Sequence, residues 1–326
     1  MLLIVLVHAN YFSLGFIDSN DVRTNPLPSF VKIFFEQLCV VGVNVFVLIS
    51  GWFGIKPTVK GGISVLFQVF FYGLLVMCLG MAIGLPVPKR DMVQLFWLGG
   101  YYWYMPAYLG LYAFSPVLNT FMEHASPRIQ LWVLFFFFVF EFAFGWLTKL
   151  GTYNAGFSSI SFIGLYLLAG YVRNHSRTIR QWSSGRHISV FLMLVLLSVV
   201  VSFLDYKYLG GRFEHTAYSS PFVISASLFL LLAFANAPFQ NKAVNWLACS
   251  VFSIYLVQMH PMVMPYFKQA MGDAFLRMGG VLYILYALGV AIGMGIVCVL
   301  VDKVRIGSWQ AICRSFLDKA LDSIHA

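Results

Sequence analysis

Ten apolar stretches run through this chain, at roughly 1–17, 30–55, 62–86, 96–121, 129–148, 157–172, 187–205, 219–238, 244–267 and 281–302, and short polar connections join them. A helix crosses a bilayer with about 20 apolar residues, whereas a barrel strand needs only about 9–11. Helices also satisfy their own backbone groups where no water is at hand. The expected fold is therefore all-α: a polytopic membrane helical bundle of about ten transmembrane helices, forming a single domain over residues 1–326. Composition closes the soluble alternative. The chain is 60% hydrophobic and only 10% charged, against about 25% charged in ordinary soluble domains, and its mean hydropathy is +0.82. No soluble domain, internal repeat or low-complexity segment stands out.

The five cysteines are scattered without C-x-x-C spacing, and four lie in apolar runs. They read as small buried hydrophobes, and no metal site is expected. A net charge of +9 reads as cytoplasmic loops facing a lipid bilayer, with no nucleic-acid partner. If the N-terminus is cytoplasmic and all ten stretches cross, twelve Lys and Arg fall inside and nine outside. The deciding segment is "RNHSRTIRQWSSGRH", which carries Arg173, Arg177, Arg180 and Arg186 without one acid. Such a cluster anchors the cytoplasmic side. Both termini are then cytoplasmic, in the inner (plasma) membrane.

The opening "MLLIVLVHAN" has no Lys or Arg before Arg23, so it lacks the basic start of a signal peptide. Residues 1–17 fall short of a full span and look like the second half of one. Within the apolar stretches, polar groups are costly unless a partner or a wet cavity compensates. Those so placed are His8, Asn10, Asn44, Ser50, Gln68, Glu141, Gln258 and His260. Gly42, Gly51 and Gly54 read as close-packing positions. Asn44 and Gly51, seven residues apart, share one helix face. Asn44 can serve an interhelical hydrogen bond or a site. Glu141 should face inward or be protonated, and a helix carbonyl, a histidine or a substrate hydroxyl could partner it. Tyr101, Tyr102, Trp103 and Tyr104 suit either an interfacial aromatic belt or a platform for a sugar ring.

Five phrases recur in a known order: "VLVHANYF", "VGVNVFVLISGWFGIK", "YYWYMPAYLGLYAFSPVLN", "YSSPFVISASLFLLLAF" and "SIYLVQMHP". Together they resemble the acyltransferase-3 family of integral membrane O-acyltransferases, across essentially the whole chain. The resemblance implies transfer of an acyl group, acetyl above all, from cytoplasmic acyl-CoA to a hydroxyl of a saccharide or surface polysaccharide precursor in a bacterium. Acyl-CoA would be a co-substrate, with no tightly bound cofactor. Relatives carry a basic residue about one span before the first-span histidine. Here it would precede Met1, so the first helix is expected to be truncated; a short, tilted or interfacial first helix is the other reading.

The resemblance also implies roles. His8 would be the general base, since neutral imidazole titrates near neutrality. Lys56 and Lys60 stand where relatives have arginines for the CoA phosphates; lysine neutralises phosphate but lacks the bidentate fork, and both also fit as ordinary positive-inside lysines. Ser50 and Asn44 would line the donor route. In the ninth stretch relatives place a histidine where this chain has Gln258, and His260 lies two positions on, about 200° around a helix. Gln258, His260 and Tyr255 therefore take positioning roles, and Trp103, Tyr104 and Glu141 are candidates for the acceptor side. The rival function, a transporter or flippase for a lipid-linked saccharide, should show repeated halves with interrupted helices.

Overall fold

The computed structural model describes residues 1–96, 100–148, 150–151, 153–237 and 241–313. Lys149, Arg314 and Lys319, counted in the charge balance above, lie outside the described residues. All regular elements among the described residues are helical. The main ones are α1 (Leu2–Ala9), α2 (Pro26–Phe53), α3 (Val59–Ala82), α4 (Tyr104–His124), α5 (Pro127–Phe140), α6 (Ser159–His175), α7 (Ser184–Leu204), α8 (Pro221–Ala235), α9 (Phe252–Gln258), α10 (Met264–Met278) and α11 (Gly280–Ile312).

Local sequence explains where they start. Pro26, Pro127 and Pro221 open α2, α5 and α8, where the missing N–H costs nothing and φ is already set. Hydroxyl caps open three others and α5 as well: Thr58 accepts from the Gly61 N–H, Ser158 from Ser161 and Ser183 from Arg186, and Ser126 from Ile129 ahead of Pro127, each satisfying one orphan donor of a first turn. α5 and α7 do not stop cleanly. Each widens into a π turn, Glu141–Leu147 and Asp205–Leu209, and each π turn begins at an acid.

Among the described residues, five helices are long and apolar enough to cross a membrane: Pro26–Phe53, Val59–Ala82, Pro127–Leu147, Ser184–Leu209 and Gly280–Ile312. They coincide with five of the ten stretches read from sequence. The others differ for visible reasons. The first is interrupted at Asn10. α6 and α8 have only 17 and 15 residues. α4 carries Ser115, Pro116 and Asn119 in its middle. The stretch 244–267 is broken into Lys242–Ala248, α9 and the start of α10, with Pro261 in the last connection and Pro265 in the first turn of α10.

The chain forms two compact units. Unit 1 comprises residues 1–5, 57–103 and 240–326; in it α9 packs on both α3 and α11, and α10 packs on α11. Unit 2 comprises residues 6–56 and 104–239. There α2 is the central helix, contacting α6, α7 and α8, while α4 and α5 pack on α6. Its apolar window is 61% buried, against 17–33% for the other four long helices, so α2 is the core of its unit and the others turn one side outward.

Candidate functional site

Unit 2 has two chemically different ends, joined by α2. At the end where α2 stops, Gly51 lets α6 approach so closely that a Cβ would lie 2.3 Å from the Tyr166 carbonyl oxygen. The Tyr166 hydroxyl accepts from the Ile55 N–H at 2.9 Å and donates to Asn119 Oδ1 at 2.5 Å; Asn119 Nδ2 returns to the Ile55 carbonyl at 2.8 Å. The Arg173 guanidinium donates to the Trp52 carbonyl. Asn236 Nδ2 ties the end of α8 to the Arg180 and Trp182 carbonyls. This end is basic, and Lys56 is exposed on it. Ser50 is half-buried, and its hydroxyl bonds back to the Phe46 carbonyl of its own helix at 3.3 Å.

The first half of α2 meets the other end. His8 closes α1, partly exposed, with its ring 5.5 Å from that of Phe12. The Ser13 hydroxyl donates to its carbonyl at 2.5 Å. Two residues on, Asn10 Nδ2 donates to the buried Glu36 carboxylate at 2.8 Å, and the Tyr11 N–H donates to the same oxygen at 3.3 Å. Glu36 therefore pins the chain just after His8. Sequence reading missed it because Lys32, one turn earlier on the same helix, lets it read as half of an ordinary i,i+4 ion pair near a helix start.

Beside this, the loop after the Asp205 π turn folds back into the protein. Asp205 accepts from the Arg212 N–H (3.1 Å), the Phe213 N–H (2.9 Å) and His215 Nε2 (3.1 Å). A carboxylate so loaded holds the imidazole proton on Nε2 and leaves Nδ1 a lone pair. Burial pushes the His215 pKa below its usual 6.5, with Asp205 opposing. Trp146 Nε1 donates to the Glu214 carbonyl at 3.0 Å, and its ring lies edge-on to His215 at 5.8 Å. Farther along, Asn44 Nδ2 donates to the Tyr218 carbonyl at 2.9 Å, and the Ser219 N–H donates to the Ala155 carbonyl at 3.2 Å. Ala155 holds φ +53°, an uncommon conformation for a side chain with Cβ.

Glu141 and Ser219 both pack close against Gly145. A Cβ on Gly145 would lie 3.2 Å from Ser219 Cβ and 3.5 Å from the Glu141 carboxyl carbon. Six buried polar atoms here have no hydrogen-bond partner: Asn44 Oδ1, both Glu141 oxygens, His215 Nδ1, Ser219 Oγ and Ser220 Oγ. Among the described residues, the Ser161 hydroxyl is the one side chain that approaches the Glu141 carboxyl as a hydrogen-bond donor. A buried unsatisfied polar group costs about 1–3 kcal/mol, so so many in one place mark a region built for something besides packing.

Unit 1 carries the ninth-stretch residues. Gln258 and Tyr255 are buried, and the Tyr255 hydroxyl donates to the Tyr101 carbonyl at 3.3 Å. His260 is fully buried with both ring nitrogens engaged: Nε2 donates to the Gly73 carbonyl at 3.2 Å and Nδ1 accepts from the Met262 N–H at 3.1 Å. The aromatic run divides. Tyr102 is buried in unit 1, donating to the Leu256 carbonyl at 2.5 Å, and Trp103 is half-buried there. Tyr104 is buried in unit 2, stacked on Tyr108 and against Phe162. Lys60 is half-buried in unit 1. Unit 1 also holds a buried ion pair: Arg305 grips Asp302 at 2.7 and 3.1 Å, and Asp302 further accepts from Tyr72 (3.0 Å) and Gln68 (3.4 Å). Removing one member would strand the other, at a cost of about 3–5 kcal/mol.

The structure thus brings Asn44 and Glu141 into one cluster with Asp205, His215, Ser219 and Ser220, and places His8 on the same unit. Gln258, His260, Tyr255, Trp103 and Lys60 belong to the other. Among the described residues no group of three or more His, Cys, Asp or Glu is arranged to hold a metal ion. Comparison with curated proteins found no match, and comparison with solved structures found none. The family comparison is positive: residues 1–303 match the acyltransferase-3 family, described as an acyltransferase domain. With membrane-length apolar helices and a match over nearly its whole length, the chain belongs to the acyltransferase-3 family.

Proposed function

We propose that the protein transfers an acyl group, acetyl above all, from cytoplasmic acyl-CoA to a hydroxyl of a saccharide or surface-polysaccharide precursor. Family membership over residues 1–303 is the observation that carries this reading. The basic end of unit 2, with Lys56 and Arg173, is the cytoplasmic side in this account, and the loop 205–220 faces away from the cytoplasm. Both termini are cytoplasmic, in the inner membrane of a bacterium. Lys56 in unit 2 and Lys60 in unit 1 are each a candidate to attract a CoA phosphate as a point charge, and Ser50 lies on the donor's side of α2.

His8 is the base. Its unprotonated nitrogen takes the proton of the acceptor hydroxyl as that oxygen attacks the thioester carbonyl. The tetrahedral adduct collapses, the C–S bond breaks, and the leaving thiolate takes up a proton to give CoA and the ester. Glu36 supports this role, because its bonds to Asn10 and Tyr11 hold the backbone that presents His8. Gln258, His260, Tyr255 and Trp103 position elements of unit 1, and Tyr104 does so in unit 2.

His8→Ala tests the assignment. The variant should reach normal amounts in the membrane and bind acetyl-CoA, while transfer falls about 10²–10⁴-fold, the usual loss with a general base. Near-normal transfer by His8→Ala would remove His8 from the mechanism.

A further inference from the structure

The cluster at the loop end of unit 2 contains a dyad and two serines for which the mechanism above has no use. Its construction is specific. Two transmembrane helices each widen into a π turn beginning at a buried acid, Glu141 and Asp205; such turns recur at functional sites because they redirect side chains out of the helical register. Asp205 is spent on two backbone N–H groups and on His215, which fixes the imidazole with its Nδ1 lone pair unpartnered. Asn44 spends its amide nitrogen on Tyr218 and leaves its oxygen unpartnered. Ser219 and Ser220 are fully buried with unpartnered hydroxyls.

The chemistry of these atoms selects a ligand. Asn44 Oδ1 and His215 Nδ1 only accept, and the Glu141 carboxyl offers further lone pairs, so the ligand must bring several donors. The two serine hydroxyls can donate as well, so it must also bring acceptors. An ammonium group has no lone pair to offer them, and a phosphate brings too few protons for the accepting atoms and meets no cation among these residues. A ligand with several hydroxyls satisfies both demands.

We infer that Asn44, Glu141, His215, Ser219 and Ser220 bind the hydroxyl-bearing face of the saccharide acceptor and so decide which hydroxyl is presented for acylation. This moves Asn44 from the donor route to the acceptor side. The inference rests on the reading of the protein as a saccharide acyltransferase. Glu141, Ser219 and His215 are in this account binding and positioning residues, and proton removal stays with His8.

The test measures initial rates of transfer from acetyl-CoA, labelled in the acetyl group, to the saccharide fraction of membranes from the protein's own cell. Purified wild-type protein, Ser219→Ala, Ser220→Ala and Glu141→Gln are compared at equal folded amounts. The expected result is that the acceptor concentration for half-maximal transfer rises at least about tenfold for Ser219→Ala and Glu141→Gln, with the half-saturating acetyl-CoA concentration unchanged. Serines that are merely stranded in the fold would behave differently: their loss would raise thermal stability and leave acceptor dependence untouched, which would overturn the inference. Parallel weakening toward acetyl-CoA would overturn it too. If the wild-type protein acetylates no saccharide, the functional reading fails and the inference with it; if wild type transfers and the variants match it, the inference alone fails.

Discussion

Gly51→Ala is the perturbation whose cost the structure fixes most directly. The added methyl would sit 2.3 Å from the Tyr166 carbonyl oxygen, 2.7 Å from its Cα and 2.8 Å from its carbonyl carbon. An ordinary carbon–oxygen contact is about 3.3–3.6 Å, so α2 and α6 must part by about 1 Å. Every obstacle is backbone, and no flexible side-chain tip can swing away. Overpacking costs about 1–3 kcal/mol, and a backbone collision across a closely packed helix pair of the unit belongs at the upper end. About 3 kcal/mol shifts the folded-to-unfolded ratio about a hundredfold. The same shift pulls the Tyr166 hydroxyl from Ile55 and Asn119, loosening the turn that carries Lys56. Thermal unfolding of the detergent-solubilised protein, followed by intrinsic fluorescence, is the assay. Gly293→Ala on α11 is the control, because nothing lies within 4 Å of its Cβ position and the change favours the helix by up to about 1 kcal/mol. The reasoning is refuted if Gly51→Ala unfolds with wild-type protein while Gly293→Ala behaves no differently from it.

The remaining predictions concern pH and topology. Burial lowers the His215 pKa in the fold, with Asp205 opposing, so the unfolded loop binds more protons once the pH falls below about 6.5. Protection of the 211–220 amides against hydrogen exchange should be full above that pH and fall as the pH drops toward the folded pKa, with Asp205 the one carboxylate bonded to the ring; His215→Gln should flatten the profile, and an unchanged profile would contradict the assignment. For topology, a lone cysteine at Ser183, which is exposed, should escape an impermeant thiol reagent in intact cells, whereas one at Leu209, also exposed, should react. Ser219 cannot serve as the outer reporter, because it is fully buried.

Much of this was legible in the sequence where the cause is local. Composition marks the membrane, Pro26 and Pro127 mark helix starts, and Gly51 marks a close approach. Glu141 stands out because an acid amid phenylalanines is costly wherever it points. What escaped depends on distant partners. Asn44 meets the Tyr218 carbonyl 174 residues away, and no spacing rule reaches that far. Asp205 and His215 read as an ordinary polar loop after an apolar stretch, because a π turn leaves no mark in composition. Asp302 and Arg305 read as the charged end of a last helix, and their burial follows from Tyr72 and Gln68, over two hundred residues earlier. The stretch 244–267 is apolar enough to span, yet backbone breaks around Cys249 and Met259 divide it. Apolarity says which solvent a segment tolerates; it does not say that the segment is continuous.

The central claim, acyl transfer from acyl-CoA to a saccharide hydroxyl, is tested most directly with purified protein in a lipid nanodisc. Acetyl-CoA carrying label in its acetyl group is supplied with the saccharide fraction of the native membrane. The account predicts label in the saccharide as a base-labile ester, one free CoA thiol released per ester formed, and loss of both with His8→Ala. Label that stays wholly on CoA in the presence of that fraction, with folded wild-type protein, would contradict it.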